Sequence, residues 1–476
     1  MRKFLIILFL ILVSATGIFA QSSDDTLAKI GDQTFTINDL SPQAQEAAKR
    51  LPELIIETRK SELDQSIADL LFAAEAATRK ITTEKLLDLE VNKKVADPPT
   101  AQVQAVYDAN RQTFGSETFD EAKTRIVSFL RNEQVSKLTV GFADALKPKY
   151  KVVMGVDVNS PHLKPTDVLA TVGTEKIPAG KFNEHLKPFE YNLRHDAYET
   201  IKPALDDLLY SNLILLEARK QNLSPEAFIK REITDKMSDP TESDAKKFYD
   251  AQRNQFENVS FDAAKTQILS YLADDERGKI IRELNKKMIA QNNVQISLDE
   301  PKPPILTISA GNSPSKGSPT APVQIVMFSD FQCPACAAMH PVVTEIVKKY
   351  GPKVRFTVRD FPLTSIHKNA FRAAQAAAAA NAQGKFFDYI DILYKNQKAL
   401  DDASLKKYAA QLNLNARQFE TDLGSGKFDQ QIRQDIKDGE YYGIRATPTI
   451  YINGLILSGL SNDEIEALIK KSIAGK

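Results

Sequence analysis

The sequence predicts a multidomain protein: two mainly α-helical repeats with short β-strands, followed by an α/β domain that carries a helical insertion. Three observations predict it. The 476 residues suit about three domains of ordinary size. The N-terminal and middle parts match each other at a constant offset of 142 residues, which pairs Gly31 with Gly173 and Asp97-Pro98 with Asp239-Pro240. Residues 323–359 then read strand, helix, strand around Cys333 and Cys336, the only cysteines in the chain.

The chain opens on a segment that reads as a secretory signal. Arg2 and Lys3 form its charged region, Phe4 to Val13 its apolar region, and Ser14 to Ala20 a small-residue end, with cleavage expected after Ala20. The apolar run is short for a bilayer span, which disfavours the alternative of an uncleaved anchor. With no cysteine near the cleavage point, a lipoprotein anchor is not expected. Export would place the cysteine pair in a periplasmic or otherwise extracytoplasmic, oxidising space. The 62 basic and 62 acidic residues balance, and removal of Arg2 and Lys3 leaves 60 against 62. No polybasic patch points to nucleic acid or to an anionic membrane surface. With two cysteines and no Trp, the core must rest on apolar packing and on Phe and Tyr contacts.

The boundaries expected are 1–20 signal, 21–160 first repeat, 161–299 second repeat, 300–320 linker and lead-in, and 321–476 the α/β domain. Within the repeats the match extends to Tyr107-Asp108-Ala109 on Tyr249-Asp250-Ala251, Phe114 on Phe256, Phe119-Asp120 on Phe261-Asp262 and Ala122-Lys123-Thr124 on Ala264-Lys265-Thr266. The register holds without a gap, so the repeat is a duplication. In the first copy, Leu27 to Thr36 reads as two short strands around a Gly31-Asp32 turn. Glu53 to Ala77 is a long helical stretch. Asp97-Pro98-Pro99-Thr100 ends one helix and opens another over Ala101 to Phe114. Val103, Val106, Tyr107 and Phe114 share roughly one face of that helix, as core residues do. Thr118 with Glu121 forms a capping box for Phe119 to Lys137. Lys151 to Met154, mirrored by Asn293 to Ile296, is extended and is expected to pair with the strands of its own copy, closing each module on itself.

This order of strand pair, helices, Asp-Pro, Tyr-Asp-x-x-x-x-x-Phe and helix resembles the N-terminal module of periplasmic chaperones of the SurA and PpiC type. The resemblance implies binding of unfolded client chains through apolar grooves. Those proteins normally carry a parvulin prolyl-isomerase domain. The copies here are too short to hold one, so no prolyl isomerase activity is expected.

Glu300-Pro301-Lys302-Pro303-Pro304 is a stiff connector, and Thr307 to Pro322 reads as loop. Val323 to Phe328 is a strand, Ala337 to Tyr350 a helix stopped by Gly351-Pro352, and Val354 to Arg359 a second strand. A crossover of this length suits a parallel pair. Residues of about 364–442 read as a helical insertion: Ile366 to Gln383, Lys385 to Asn396, Ala403 to Leu412 and Gly426 to Tyr442. Thr449 to Ile452 and Leu455 to Ser458 flank an Asn453-Gly454 hairpin turn, and Ser461 with Glu464 caps a last helix to Ile473.

Cys333 sits where the helix begins, with Cys336 one turn on, in Phe331-Gln332-Cys333-Pro334-Ala335-Cys336. Unpaired N–H groups and the helix dipole at that position favour a thiolate. A lowered pKa makes the sulfur a nucleophile and a leaving group, as thiol–disulfide exchange requires. Two other readings compete. A structural zinc wants four ligands, and the five histidines form no ligand-spaced pair. A purely structural bridge across so short a loop would constrain the unfolded chain little.

Phe328 to Cys336, together with Gly443-Ile444-Arg445-Ala446-Thr447-Pro448-Thr449, resembles the DsbA-like thioredoxin fold, over residues of about 305–476. The resemblance implies a redox-active Cys333–Cys336 disulfide. Client thiolates would attack Cys333, and Cys336 would leave as the buried thiol. Pro334, Ala335, Thr447 and Pro448 would support the site, with Pro448 a cis-proline and Thr447 offering backbone groups to an extended client. No cofactor is implied. Two departures stand out. Pro334-Ala335 offers no charge where the family often has His, which would leave Cys333 less acidic. Met327 stands where a buried acid is usual, six residues before the first cysteine, so proton transfer at Cys336 needs another group. Asp330 is close in sequence, where a loop-capping role serves equally well.

The leading expectation is an exported thiol–disulfide oxidoreductase whose repeats hold unfolded or folding secreted clients, with a membrane or soluble redox partner. The alternatives are a holdase chaperone with a secondary redox role, and an isomerase or reductase kept reduced by a partner.

Overall fold

Short turns, capped helices and a few alternating strands build the chain from local signals. A computed structural model describes residues 25–256, 259–457 and 461–474. The signal segment expected at 1–20 lies outside the described residues. The elements of the first copy are β1 (Thr26–Ile30), β2 (Gln33–Thr36), α1 (Pro42–Arg79), α2 (Thr83–Glu90), α3 (Thr100–Ala109), α4 (Arg111–Phe114), α5 (Phe119–Leu146) and β3 (Val153–Met154). Those of the second are β4 (Val168–Val172), β5 (Glu175–Pro178), α6 (Ala179–Lys220), α7 (Pro225–Glu232), α8 (Glu242–Ala251), α9 (Phe261–Gln291) and β6 (Gln295–Ile296).

Gly31 and Gly173 take positive φ, +59° and +62°, so each strand pair turns where only glycine is unstrained. Thr118 and Glu121 form the expected capping box at the start of α5. The helix expected over Ala101 to Phe114 breaks at Asn110 into α3 and α4. The long helix runs from Pro42 to Arg79, well beyond the Glu53 to Ala77 that the sequence suggests.

The expected self-closure of each copy is overturned. Strand β6 of the second copy pairs with β1 of the first, Ala28 opposite Ile296. Strand β3 of the first pairs with β4 of the second, Val153 opposite Thr171. The compact units therefore do not follow the boundaries 21–160 and 161–299. Among the described residues, one unit joins 25–55 with Leu193–Pro301, and the other joins Ile56–Asn192 with those from Lys302 onward.

In the first unit, Leu27, Ala28 and Phe35 of the β2-β1-β6 sheet pack with Leu205, Leu209 and Leu213 of α6 and Met288 of α9. In the second, Leu169, Ala170 and Val172 of the β3-β4-β5 sheet pack with Leu63, Ile67 and Leu71 of α1 and Leu146 of α5. The physical reason lies in the long helices. At 1.5 Å per residue, the 38 residues of α1 extend about 57 Å, so the helix cannot fold back onto its own strands. Of the core positions expected on the helix face over Ala101 to Phe114, Val103 and Tyr107 are buried with Ala122, Ile126 and Leu130, while Val106 and Phe114 are half-buried against them.

The C-terminal domain comprises β7 (Ser315–Lys316), β8 (Val323–Ser329), α10 (Pro334–Tyr350), β9 (Val354–Asp360), α11 (Ala370–Asn381), α12 (Phe386–Lys395), α13 (Asp402–Gln411), α14 (Ala416–Gly424), α15 (Asp429–Tyr441), β10 (Thr449–Ile452), β11 (Leu455–Ile456) and α16 (Asn462–Ile473). The sheet order is β11-β10-β8-β9-β7, with β8 and β9 parallel as expected. Two details differ from the sequence reading. The lead-in that reads as loop contributes β7, which pairs with β9. Helix α14 falls between the helices the sequence marks, capped by Asn415, with only Phe419 and Leu423 as buried apolar anchors.

Period-two alternation divides the strands between the sheet's two faces. Val323, Ile325 and Met327 of β8 and Val354, Phe356 and Val358 of β9 join the large core with α10, α11, α12 and α16. Val326 and Phe328 face the other way, toward Phe361, Ile444 and Tyr451. The Ala-rich α11 runs through the insertion with Ala373, Ala376, Ala377, Ala379 and Ala380 fully buried, since small side chains admit close neighbours.

Candidate active site

Strand β8 ends at Ser329 and α10 begins at Pro334, so the intervening turn presents Cys333 at the mouth of the helix. Cys333 is the residue that precedes the first helical position, and Pro334 occupies that position, where a missing N–H costs nothing. Pro334 and Ala335 are exposed, Cys336 is fully buried, and Cys333 retains 7% of its surface. Both cysteines are free thiols.

Three side chains hold the turn. The buried Asp330 carboxylate accepts from the backbone N–H of Gln332 (2.7 Å), from that of Leu363 (2.8 Å) and from His367 Nδ1 (2.8 Å). Of the two roles left open for it by the sequence, this is the capping one. Gln397 Nε2 donates to the carbonyls of Phe331 (3.1 Å) and Cys333 (2.7 Å). Gln332 Oε1 accepts from the Asn369 N–H at 2.9 Å. Gln397 and His367 carry no sequence signal, because each meets the turn only after the insertion folds over it.

From the other side comes the loop before β10. The Thr447–Pro448 bond is cis, and Cys333 Sγ donates to the Thr447 carbonyl at 3.3 Å. Gly443 opens this loop with φ +71°, and Asn192 Nδ2 of α6 donates to its carbonyl at 2.9 Å.

The two sulfurs differ in ionisation. A hydrogen bond from the Cys336 thiol lowers the Cys333 pKa to about 5, against the opposing effect of burial, and the backbone N–H groups of Cys336 and Ala335 add to it. Cys336 moves the other way. Burial raises its pKa first, and the shared hydrogen bond with Cys333 adds to it. The acidity of Cys333 thus has a source that the uncharged Pro334-Ala335 pair does not supply. An ionised outer sulfur over a protonated inner one is the arrangement that thiol–disulfide exchange uses. Among the described residues no cluster of His, Cys, Asp and Glu could hold a metal ion.

Residues 309–471 match the family model described as thioredoxin. A stretch of 153 residues is 37% identical to the Na(+)/H(+) antiporter NhaA 3 of Salinispora tropica, covering 32% of this chain and 23% of that protein. Another of 163 residues is 31% identical to the Na(+)/H(+) antiporter NhaA 1 of Mycobacterium sp. (strain KMS), covering 33% and 27%. The chain thus spans about a quarter of the length of the curated relatives it matches. Among solved structures, oxidised BdbD from Bacillus subtilis is 24% identical with a TM-score of 0.33, covering 35% of this chain and 96% of that one. The catalytic domain of Proteus mirabilis ScsC is 22% identical with a TM-score of 0.31, covering 36% and 93%. The C-terminal domain is thioredoxin-like, and the family match supports a redox function for it. Among the described residues no helix is long and apolar enough to cross a membrane.

Proposed function

We propose that the chain is an exported protein thiol–disulfide oxidoreductase that exchanges the Cys333–Cys336 disulfide with unfolded or folding secreted proteins. The observation that carries this reading is the asymmetry of the pair: an acidic Cys333 at the helix mouth and a fully buried Cys336 beneath it. A client thiolate attacks Cys333 Sγ, a mixed disulfide forms, and Cys336 leaves with the electron pair. A second client thiolate then attacks the client sulfur and releases Cys333 as a thiolate. The low pKa of Cys333 favours the dithiol state, so the disulfide oxidises client thiols more readily than the dithiol reduces client disulfides. That favours the oxidase direction over the isomerase or reductase one. A membrane or soluble partner restores the disulfide.

The exposed Pro334 and Ala335, with the half-buried Pro448 and the buried Thr447 beside them, form the surface an extended client meets, and Thr447 offers its backbone for strand-like pairing once the client displaces Cys333 Sγ from its carbonyl. The repeats would hold clients. A cavity of about 470 Å³ in the first unit, lined in part by Leu51, Tyr198, Ile201 and Leu298, offers an apolar recess for a client segment. The relatives are named as Na(+)/H(+) antiporters, and this chain spans about a quarter of their length.

The test is a Cys336→Ala variant expressed in an envelope-containing host. Stable mixed disulfides through Cys333 with secreted proteins are expected, and their absence sinks the reading. If aggregation suppression by the chain survives loss of both cysteines while no adducts form, the holdase alternative replaces it.

A further inference from the structure

The proposed exchange leaves one chemical need unmet: when Cys336 departs as a thiolate in a buried pocket, it must gain a proton. Met327, the β8 residue that faces the core below the cysteines, cannot give one. The structure places a different acid nearby. In the parallel β8–β9 ladder, Met327 lies opposite Val358, and the next pair on the same face is Ser329 opposite Asp360. Asp360 thus ends the row of Val354, Phe356 and Val358 on the side of the sheet that α10 and α12 cover.

We propose that Asp360 is the proton reservoir for Cys336, exchanging with its sulfur through the hydroxyl pair of Ser329 and Tyr394. Asp360 is 6% exposed, and its Oδ1 has no hydrogen-bond partner. A buried carboxyl oxygen without a donor is costly when ionised, so a protonated acid is the stable form. Ser329 Oγ lies 2.6 Å from Tyr394 OH, and both are buried. The Ser329 hydroxyl lies close enough to the Cys336 sulfur to influence its ionisation, and the Tyr394 phenol close enough to both Cys336 and Asp360 to feel their charges.

The groups that face Asp360 agree with this role. Burial raises its pKa well above the usual carboxylate range, and the Asp435 and Asp330 carboxylates push in the same direction. The Arg359 guanidinium opposes them, but it is engaged with Asp435 (2.6 Å) and Asp438 (2.5 Å). His340 packs on the Tyr394 ring at 4.8 Å and pairs with Asp391.

The step balances. A client thiolate bonds to Cys333 Sγ and the S–S bond breaks toward Cys336. Cys336 takes the Ser329 hydroxyl proton, Ser329 is reprotonated from the Tyr394 phenol, and the Asp360 carboxyl, which must turn toward the phenol to reach it, supplies the proton that restores Tyr394 and ends as a carboxylate. Reoxidation runs the sequence backward. The assignment rests on the proposed disulfide exchange.

The experiment uses the oxidised full-length chain and reduced glutathione, with the rate of attack divided by the thiolate concentration at each pH. The wild type is expected to slow as pH rises through the Asp360 titration. Asp360→Asn is expected to be slower by roughly 10²-fold on the acid side and flat with pH. An Asp360→Asn profile that keeps the wild-type shape overturns the assignment. If that variant fails to melt cooperatively, infrared difference spectra of the wild type decide: a carboxylic-acid band that responds to reduction of the pair supports the reservoir, and no response overturns it. Wild type that does not react with glutathione at any pH sinks the exchange reading and this inference together. Reaction with an unaltered variant profile sinks only the second.

Discussion

At position 333 a thiol meets, at once, a neighbouring thiol, two backbone N–H groups and a carbonyl. The strongest single influence on its acidity is the hydrogen bond from Cys336, which has a direct consequence. In the reduced protein, alkylation of Cys333 by iodoacetamide should follow one titration centred near pH 5, falling about tenfold per unit below it. Replacing Cys336 with Ala removes the donor, so the midpoint should move up toward the ordinary thiol range. The sign for stability follows. A depressed pKa gives the reduced chain stability that is fully present above the unfolded thiol's pKa of about 8.5 and is lost as pH falls toward 5. Denaturant melts of the reduced protein across that window, against Cys333→Ala, check it, and a parallel pH course in the two proteins would contradict the assignment. The Cys-x-x-Cys and its place before a helix were legible in the sequence, because local spacing encodes them, whereas the Thr447-Pro448 pair entered only through the resemblance to the DsbA-like thioredoxin fold. The Gln397 and His367 contacts were not, since they join residues more than thirty positions apart.

Elements are tied across the sheet by one buried cation. Arg359 of β9, 1% exposed, donates through Nε and Nη2 to Asp435 of α15, through Nη2 to Asp438 and through Nη1 to the Ser309 carbonyl, and its guanidinium lies over the Phe328 ring at 5.1 Å. Ser313 Oγ also donates to Asp435 at 3.0 Å. Burial raises the Asp435 pKa, and Arg359 is the main force opposing that rise. Arg359→Ala leaves Asp435 buried without its partner and should destabilise the chain by roughly 3–5 kcal/mol, read from urea midpoints. A loss within about 1 kcal/mol would mean that water or a rearranged α15 takes over the role. At this scale the sequence located strands and long helices well, because alternation and capping are local. It missed α14, whose two apolar anchors lie close to the noise of a loop, and it began α1 late and ended α5 early, where polar surface residues continue a helix that packing sustains.

For the whole chain, the exchange of strands between the two copies sets what can fold alone. Residues 21–160 contain β3 but not its partner β4, and β1 but not β6. The apolar faces of Leu63, Ile67 and Leu71 would lose Leu169, Phe182 and Leu186. At about 1.5–3 kcal/mol for each large buried side chain, that loss exceeds the stability of a small domain. A fragment of 21–160 is expected to show no cooperative monomeric melt by circular dichroism, whereas 21–299 is expected to show one. A stable monomer of the shorter piece would contradict the exchange. By itself the sequence determined the matches at an offset of 142 residues, the order of elements, the parallel βαβ unit and the cysteine pair at a helix mouth, since each is written in residue type and spacing along the chain. Only the tertiary structure decided which copy each short strand joins and which buried acid stands beside Ser329. Two identical strand signals satisfy the same backbone hydrogen bonds equally well, and the choice falls to the length of the helices between them. Asp360 acquires its place only when the parallel ladder sets it opposite Ser329.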